Sequence, residues 1–194
     1  AFAALDSGGI TVTRLLLRPT NLRLIARRCD ARLPFRFGIA TMTEAPMLIA
    51  EVEVETEAGA VTGRAAELLV PKWFSKDPST TLEEDRGDLI AAARRAFDEV
   101  RTFGSVGGGA TAFDLWAHAQ LACVERPDVA AADRLVQTFG VSLIERALID
   151  ATCSALSSSF FDTLAGDALG IRMEAFDERL GGWSGASLGR RSQS

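Results

Sequence analysis

The chain has 194 residues, 47% of them hydrophobic, which is enough for one globular domain with a buried core and part of a second. Its 26 acidic and 21 basic side chains give a formal net charge of −5, which argues against a nucleic-acid-binding surface. No apolar run approaches the roughly 20 residues of a membrane-spanning helix, and the first residues lack the basic and apolar regions of a secretory signal. These features predict a cytoplasmic protein that binds neither nucleic acid nor a membrane.

Three cysteines, Cys29, Cys123 and Cys153, lie far apart in the sequence. Their odd number and the absence of a Cys-x-x-Cys pair argue against a disulfide framework and against a zinc site. We therefore expect buried, reduced thiols that pack as small apolar side chains.

The first strands are predicted before residue 30. Residues 10–17 are β-branched and apolar and are followed by Pro19, which is typical of a strand. Residues 22–28 alternate in part, and they form either a continuation of that strand or a second one.

Residues 33–45 are predicted as a loop, because Pro34 and Gly38 interrupt the segment and Pro46 ends it. The loop nevertheless carries four large apolar side chains, Phe35, Phe37, Ile39 and Met42. These side chains either pack on the chain's own sheet, as most apolar side chains do, or close over a ligand pocket in another domain.

The clearest strand pattern lies in residues 48–56. One face carries Leu48, Ala50, Val52 and Val54, and the opposite face carries Glu51, Glu53 and Glu55, which predicts a half-buried antiparallel strand. A turn at Gly59 leads to a returning strand over residues 61–69. A metal site on the three glutamates is the less favoured interpretation; we expect a solvated face that discourages pairing at a sheet edge.

A second loop is predicted over residues 69–78. It carries Trp73 and Phe74 between Lys72 and Lys76, and loops held by a rigid scaffold often bind ligands. This combination would suit an anionic, partly apolar ligand. Ordinary packing of the aromatic rings with solvated lysines is an equally open interpretation.

A helix is predicted from Thr81, which forms a capping box with Glu84, to the region of Gly104. A second helix over residues 113–124 carries the single histidine, His118, one turn after Asp114. This pair could serve as an acid and its base, but a surface or core-edge histidine is the favoured interpretation.

Two further helices are predicted after Pro127, a short one over residues 128–138 and a longer one over residues 141–156. A short apolar piece follows at residues 160–164. The low-complexity end of the chain is expected to be frayed.

Three motifs, taken in order, resemble the N-terminal capping domain of the enolase superfamily, in its mandelate racemase and muconate-lactonising branch. Residues 33–38 (LPFRFG) resemble the loop between the family's first long strands. Residues 48–67 (LIAEVEVETEAGAVTGRAAE) resemble its hairpin, which ends in Gly-x-x-Glu and here has one extra residue. Residues 143–150 (LIERALID) resemble its Glu-x-Ala-Leu-x-Asp helix.

The resemblance implies an α+β fold in which a small antiparallel meander sheet is followed by a helical subdomain, beside a (β/α)₈ barrel. In that family barrel carboxylates hold Mg²⁺, which stabilises the enediolate formed when a base removes a proton α to a carboxylate. Two loops of the cap close the pocket and help to select the substrate. Here they correspond to residues 35–43 and 69–76, with the candidate residues Phe35, Arg36, Phe37, Ile39, Met42, Lys72, Trp73 and Phe74.

The chain departs from the family by lacking a barrel. A barrel takes about 250 residues, and too few follow residue 156. The family's Lys-x-Lys pair is also absent. We therefore expect a capping domain at residues 1–164, and at 165–194 a frayed tail or the start of a following domain.

The capping domain is expected to have no catalytic or metal-binding residues of its own, and Mg²⁺ is implied only for the missing barrel. The expected partners are a barrel domain of the same or another chain, a small carboxylate substrate, and a second copy in a homo-oligomer. Two alternatives stay open. One is a stand-alone α+β ligand-binding or dimerisation module without catalysis, and the other is an independent enzyme that uses His118 with Asp114.

Overall fold

The computed structural model describes residues 4–5, 11–12, 14–38, 40–131 and 133–188. Within these residues the strands are β1 (Ala4–Leu5), β2 (Thr11–Val12), β3 (Arg18–Arg27), β4 (Asp30–Phe37), β5 (Ala40–Glu44), β6 (Met47–Thr56) and β7 (Gly59–Leu68). The helices are α1 (Leu82–Gly104), α2 (Ala112–Ala119) with a π-helical continuation (Gln120–Val124), α3 (Arg134–Ala155) and α4 (Phe160–Ala165). Short 3₁₀ turns follow at Met173–Ala175, Glu178–Leu180 and Gly185–Leu188. This order confirms the predicted α+β class, and the described residues close no barrel.

The main sheet has three antiparallel strands in the order β3–β6–β7. The predicted alternation in β6 is confirmed, since one face of the strand is at most 1% exposed and packs beneath the helices, namely Leu48, Ala50, Val52 and Val54. The period-two pattern therefore identifies the core side of the sheet correctly.

The acidic face of β6 lies in the middle of the sheet, so the prediction that it protects a sheet edge is wrong. The Nε atoms of Arg23 on β3 and Arg64 on β7 donate to the Glu51 carboxylate at 2.7 and 2.9 Å. The hydrogen bond from Arg64, followed by that from Arg23, holds the pKa of Glu51 below its ordinary value. Cross-strand pairs on the solvent side thus compensate the acidic row.

The predicted loop at residues 33–45 is a β-hairpin instead. Strands β4 and β5 pair antiparallel, with Phe35 opposite Met42 and Phe37 opposite Ala40. The register shifts between Asp30 and Phe35, which is where Pro34 lies, and proline is tolerated at such bulges because it lacks an N–H group. The two residues that suggested a loop are thus accommodated at a bulge and, in the case of Gly38, at the tip.

The predicted strand over residues 10–17 is much shorter. The described part contains β2, and Arg14 to Leu16 have no regular structure, while Ile10 and Thr13 lie outside the described residues. Leu17 forms an isolated bridge with Ala110. Leu17 is 0% exposed, so this end of the segment is apolar because it is buried in the core, not because it forms a long strand. The predicted strand over residues 22–28 is confirmed as far as Arg27, as the second half of β3, and it is a separate strand from β2.

Helix α1 begins as predicted, with the Thr81 hydroxyl and the Glu84 carboxylate each bonded to the other residue's backbone N–H. The longer helix predicted over residues 141–156 is confirmed to Ala155, but its separation from the short helix predicted over residues 128–138 is wrong: one helix, α3, begins at Arg134 and runs through residues 139–141 without a break. Gly140 lies inside it because α3 crosses α1 closely there, and a Cβ at this position would lie 2.3 Å from the backbone of Ala92. Tertiary packing therefore overrides the low helix propensity of glycine.

Helix α3 lies against β7 at a second close contact. A Cβ on Gly63 would lie 1.9 Å from the carbonyl oxygen of Ala147, so only glycine allows this approach. Beside it the backbone N–H of Arg64 donates to Asp150 at 2.8 Å, and Arg146 donates to the carbonyl oxygen of Ala66 at 3.1 Å. Side chains of α3 thus occupy the outer edge of β7.

The segment after α4 contributes to the same core. Leu169 is 3% exposed, and the carbonyl oxygen of Ala168 accepts from the backbone N–H of Leu15 at 3.2 Å. Arg14 also binds Asp167, with Nη2 at 3.0 Å. The domain limits at residues 164 and 165 stay a prediction, and residues 189–194 lie outside the described part of the tail.

Candidate functional site

The tip of the β4–β5 hairpin and the segment after β7 meet in an aromatic contact. The rings of Phe37 and Trp73 lie 5.2 Å apart in an edge-to-face arrangement, and the rings of Phe35 and Phe37 are stacked at 5.7 Å. Phe35 and Trp73 are each 52% exposed. The two segments predicted to be capping loops are therefore brought together, although one of them is a hairpin.

Two shallow depressions flank the Phe37–Trp73 contact, and together we call them the aromatic groove. One has a volume of about 260 Å³ and is lined by Phe37, Gly38, Lys72, Trp73 and Lys76. The other, of about 220 Å³, is lined by Phe35, Phe37, Met42, Glu67, Leu68, Val70, Trp73 and Phe74. Both surfaces are mainly apolar, and concave apolar surfaces with a few polar groups are typical of ligand sites.

Strand geometry explains which hairpin residues reach the groove. Phe35 and Phe37 are two residues apart and share a face of β4, whereas Arg36 between them is exposed on the opposite face. Met42 lines the groove from β5, where it is the partner of Phe35. Ile39 lies outside the described residues.

The two lysines of the second segment have different environments. Lys76 is exposed at the rim of the groove. Lys72 is only 7% exposed, and its Nζ lies 3.1 Å from the carboxylate of Asp85. Its ammonium is therefore engaged within the protein, and it shapes the segment instead of presenting a free charge.

Phe74 anchors the segment to the core. Its ring lies 5.0 Å from that of Phe139 on α3, in an edge-to-face contact. Both neighbours line the groove, but Trp73 is exposed there whereas Phe74 is half-buried against α3. The groove is consequently built on a fixed support.

His118 and Asp114 lie one turn apart on α2, but the structure shows no hydrogen bond between them. The Nε2 atom of His118 lies 3.1 Å from Glu99 Oε2, and its ring stacks on Phe103 at 4.5 Å. Asp114 binds the hydroxyl of Thr111 at 2.8 Å and the guanidinium of Arg172. Each residue has a different partner, so the proposed acid–base pair has no geometric support.

The described residues do not fit a magnesium ion. No group of three or more histidine, cysteine, aspartate or glutamate side chains within this part of the chain is arranged to hold a metal. All three cysteines are free, but only Cys123 is buried; the other two are partly exposed. Burial, together with the nearby Glu99, raises the pKa of the Cys123 thiol, which makes it a poor nucleophile.

Helix α1 supplies residues near the groove that sequence analysis does not identify. Asp85 and Arg86 lie at the start of α1, where the sequence indicates only acidic residues that cap the helix. Arg86 lines a third depression, of about 160 Å³, between the hairpin and α1, and it binds Glu44 at 3.0 Å. No local pattern marks these residues, because their partners lie 13 and 42 positions away.

Among the described helices, none is long and apolar enough to cross a bilayer.

The fold is that of the N-terminal part of enolase-superfamily chains, which confirms the predicted resemblance at the level of the fold. The crystal structure of an enolase from alpha proteobacterium bal199, with bound magnesium, superposes on this chain with a TM-score of 0.51 and shares 18% sequence identity with it. A mandelate racemase/muconate lactonizing enzyme has a TM-score of 0.48 and 18% identity. Each comparison covers 76% of this chain and 34% of the other, so this chain spans about a third of their length. No protein-family model and no curated protein matches the sequence.

Proposed function

We propose that this chain is the substrate-capping domain of a Mg²⁺-dependent isomerase or lyase, of the mandelate racemase and muconate-lactonising type, that acts on carboxylate substrates. The catalytic barrel belongs to the same or another polypeptide. The observation that carries this proposal is the aromatic groove, where the two expected capping segments meet on a capping-domain fold. The magnesium ion and the base that removes the α-proton would be held by the barrel.

The residues of this chain would bind and enclose the part of the substrate remote from its carboxylate. Phe37 and Trp73 provide broad apolar contacts that discriminate by shape, and Met42 adapts to irregular groups because its side chain is flexible. Covering the substrate also excludes water, which strengthens the electrostatic interactions of the reacting groups. Selection of substrates with an apolar distal group follows from this lining.

Lys76 supplies the exposed positive charge at the rim of the groove. Its ammonium is exposed and can attract an anionic substrate before the cap closes, with an effect that salt would screen. Arg36 lies on the other face of its strand and is assigned no substrate contact.

The test is exchange of α-protons in D₂O for a panel of carboxylic acids with Mg²⁺ present. We expect no exchange with the 194-residue chain alone, and exchange when the chain is supplied with the barrel encoded downstream or by a partner gene. Exchange by the chain alone would refute the proposal, as would a reading frame that stops at Ser194 without any barrel polypeptide that binds the chain.

A further inference from the structure

A buried ion pair lies directly behind the aromatic groove. Lys72 and Asp85 are 7% and 4% exposed, and Nζ of Lys72 lies 3.1 Å from Oδ2 of Asp85. The pair joins the segment after β7 to the first turn of α1. Buried charges of this kind persist only where each one is compensated by its surroundings.

The lysine side of the pair is held by several acceptors. Its Nζ lies 2.6 Å from the carbonyl oxygens of Asp77 and Thr80 and 2.6 Å from the Thr80 hydroxyl. The Thr80 hydroxyl also donates to Asp85 Oδ1 at 2.6 Å. The ammonium of Lys72 therefore binds acceptors along the whole segment from residue 72 to residue 85 and holds the segment in one conformation.

The backbone at Lys72 depends on the same carboxylate. Lys72 has a φ of 63°, a left-handed conformation that is unfavourable for a residue with a Cβ. Its backbone N–H donates to Asp85 Oδ2 at 3.0 Å, so one carboxylate binds both the main chain and the side chain of this residue. The direction of the chain into Trp73 is set by this strained residue.

We propose that Lys72 and Asp85 are positioning residues that hold Trp73 against Phe37 and so preform the aromatic groove. The functional meaning of this assignment rests on the proposed capping role. The alternative is that the pair only stabilises the start of α1. The two differ in what happens to Trp73, which lies next to Lys72, and to Phe74, which has its own contact with Phe139.

The experiment measures nuclear Overhauser effects between aromatic rings in the 194-residue chain without ligand. The variants are Lys72→Met and Asp85→Asn, and Lys76→Met is the matched control because it removes an exposed lysine from the same segment. We expect the first two variants to lose the Phe37–Trp73 effects and to retain the Phe74–Phe139 effects. The control should retain both sets.

Retention of the Phe37–Trp73 effects in a folded Lys72→Met or Asp85→Asn variant would overturn the proposal. Equal loss in the Lys76→Met control would also overturn it. If both charge variants fail to fold, Thr80→Val decides, because it removes one hydroxyl and no charge; a loss of the Phe37–Trp73 effects supports the proposal and their retention contradicts it. These readouts need neither substrate nor barrel, so the positioning role can hold even if the capping function fails.

Discussion

At the scale of single residues, Lys72 and Lys76 are alike in sequence but not in structure. Both lie in one aromatic-containing segment, and the sequence suggests that both flank a ligand. Only Lys76 is exposed, because Lys72 is held in a buried ion pair with Asp85, 13 positions further along. Such a partnership could not be predicted, since a lysine shows no local sign that it will be buried.

We predict that Lys72→Met lowers the free energy of unfolding by about 3–5 kcal/mol, because it leaves the Asp85 carboxylate buried without its partner. Lys76→Met should change it by no more than about 0.5 kcal/mol, as is usual for exposed positions. Urea unfolding monitored by circular dichroism would measure both. Similar losses in the two variants would contradict the buried pair.

A second residue-scale prediction concerns Glu145 on α3. Burial raises the pKa of this carboxyl, and the charge of Arg146 opposes the rise only in part. The folded state therefore disfavours ionised Glu145, so the stability penalty is present at neutral pH and disappears as the pH falls below the ordinary glutamate range.

The substitution Glu145→Gln should thus stabilise the protein at pH 7 and have a smaller effect near pH 4. Unfolding free energies at the two pH values would show the difference, with Glu57→Gln at the exposed turn as the control. An equal effect of Glu145→Gln at both pH values would rule out this titration.

At the scale of elements, regular patterns predict the main sheet and the start of α1, whereas contacts between elements decide the rest. The alternation in β6 and the capping box at Thr81 are local signals, and both are confirmed. The β4–β5 hairpin is missed because Pro34 and Gly38 are read as breakers without knowledge of a partner strand. The continuity of α3 through Gly140 depends on its crossing with α1.

The close contact between β7 and α3 gives a prediction with an internal control. Gly63→Ala should destabilise the protein by about 1–3 kcal/mol or more, because the added methyl group would overlap the Ala147 carbonyl oxygen. Gly87→Ala, at an open position inside α1, should stabilise it by about 0.4–1 kcal/mol. The melting temperature should therefore fall for Gly63→Ala and rise for Gly87→Ala, and an unchanged or raised melting temperature of Gly63→Ala would show that the contact at Gly63 is not close.

At the scale of the whole molecule, the candidate site is only partly evident in sequence. The segments that carry Phe35, Phe37, Met42 and Trp73 are predicted, and the structure brings these residues to one groove. The outward direction of Arg36 and the supporting residues Asp85 and Phe139 depend on strand geometry and long-range packing. Sequence thus indicates which segments form the groove, and the fold determines which side chains line it.

Under the capping function proposed above, Phe37→Ala or Trp73→Ala in the complete enzyme should lower kcat/KM for substrates with an apolar distal group by about 10- to 100-fold, since burying a large apolar side chain is worth roughly 1.5–3 kcal/mol. Substrates with a small polar group should be affected less. The control is Leu121→Ala, which removes an exposed leucine from the π-helical continuation of α2, away from the groove. It should leave kcat/KM unchanged for both kinds of substrate. Equal losses for both substrate types would contradict selection by the groove.

The hydrogen bonds of Asp150 and Arg146 to β7 also limit how the sheet can grow. The backbone N–H of Arg64 and the carbonyl oxygen of Ala66 are already bound by α3, so these two groups are not available to a further strand on that side. Within the described residues, β3 has a strand on one side only. Pairing between two molecules through Arg18–Arg27 would use this edge on both partners, so it would give a closed dimer instead of a growing sheet.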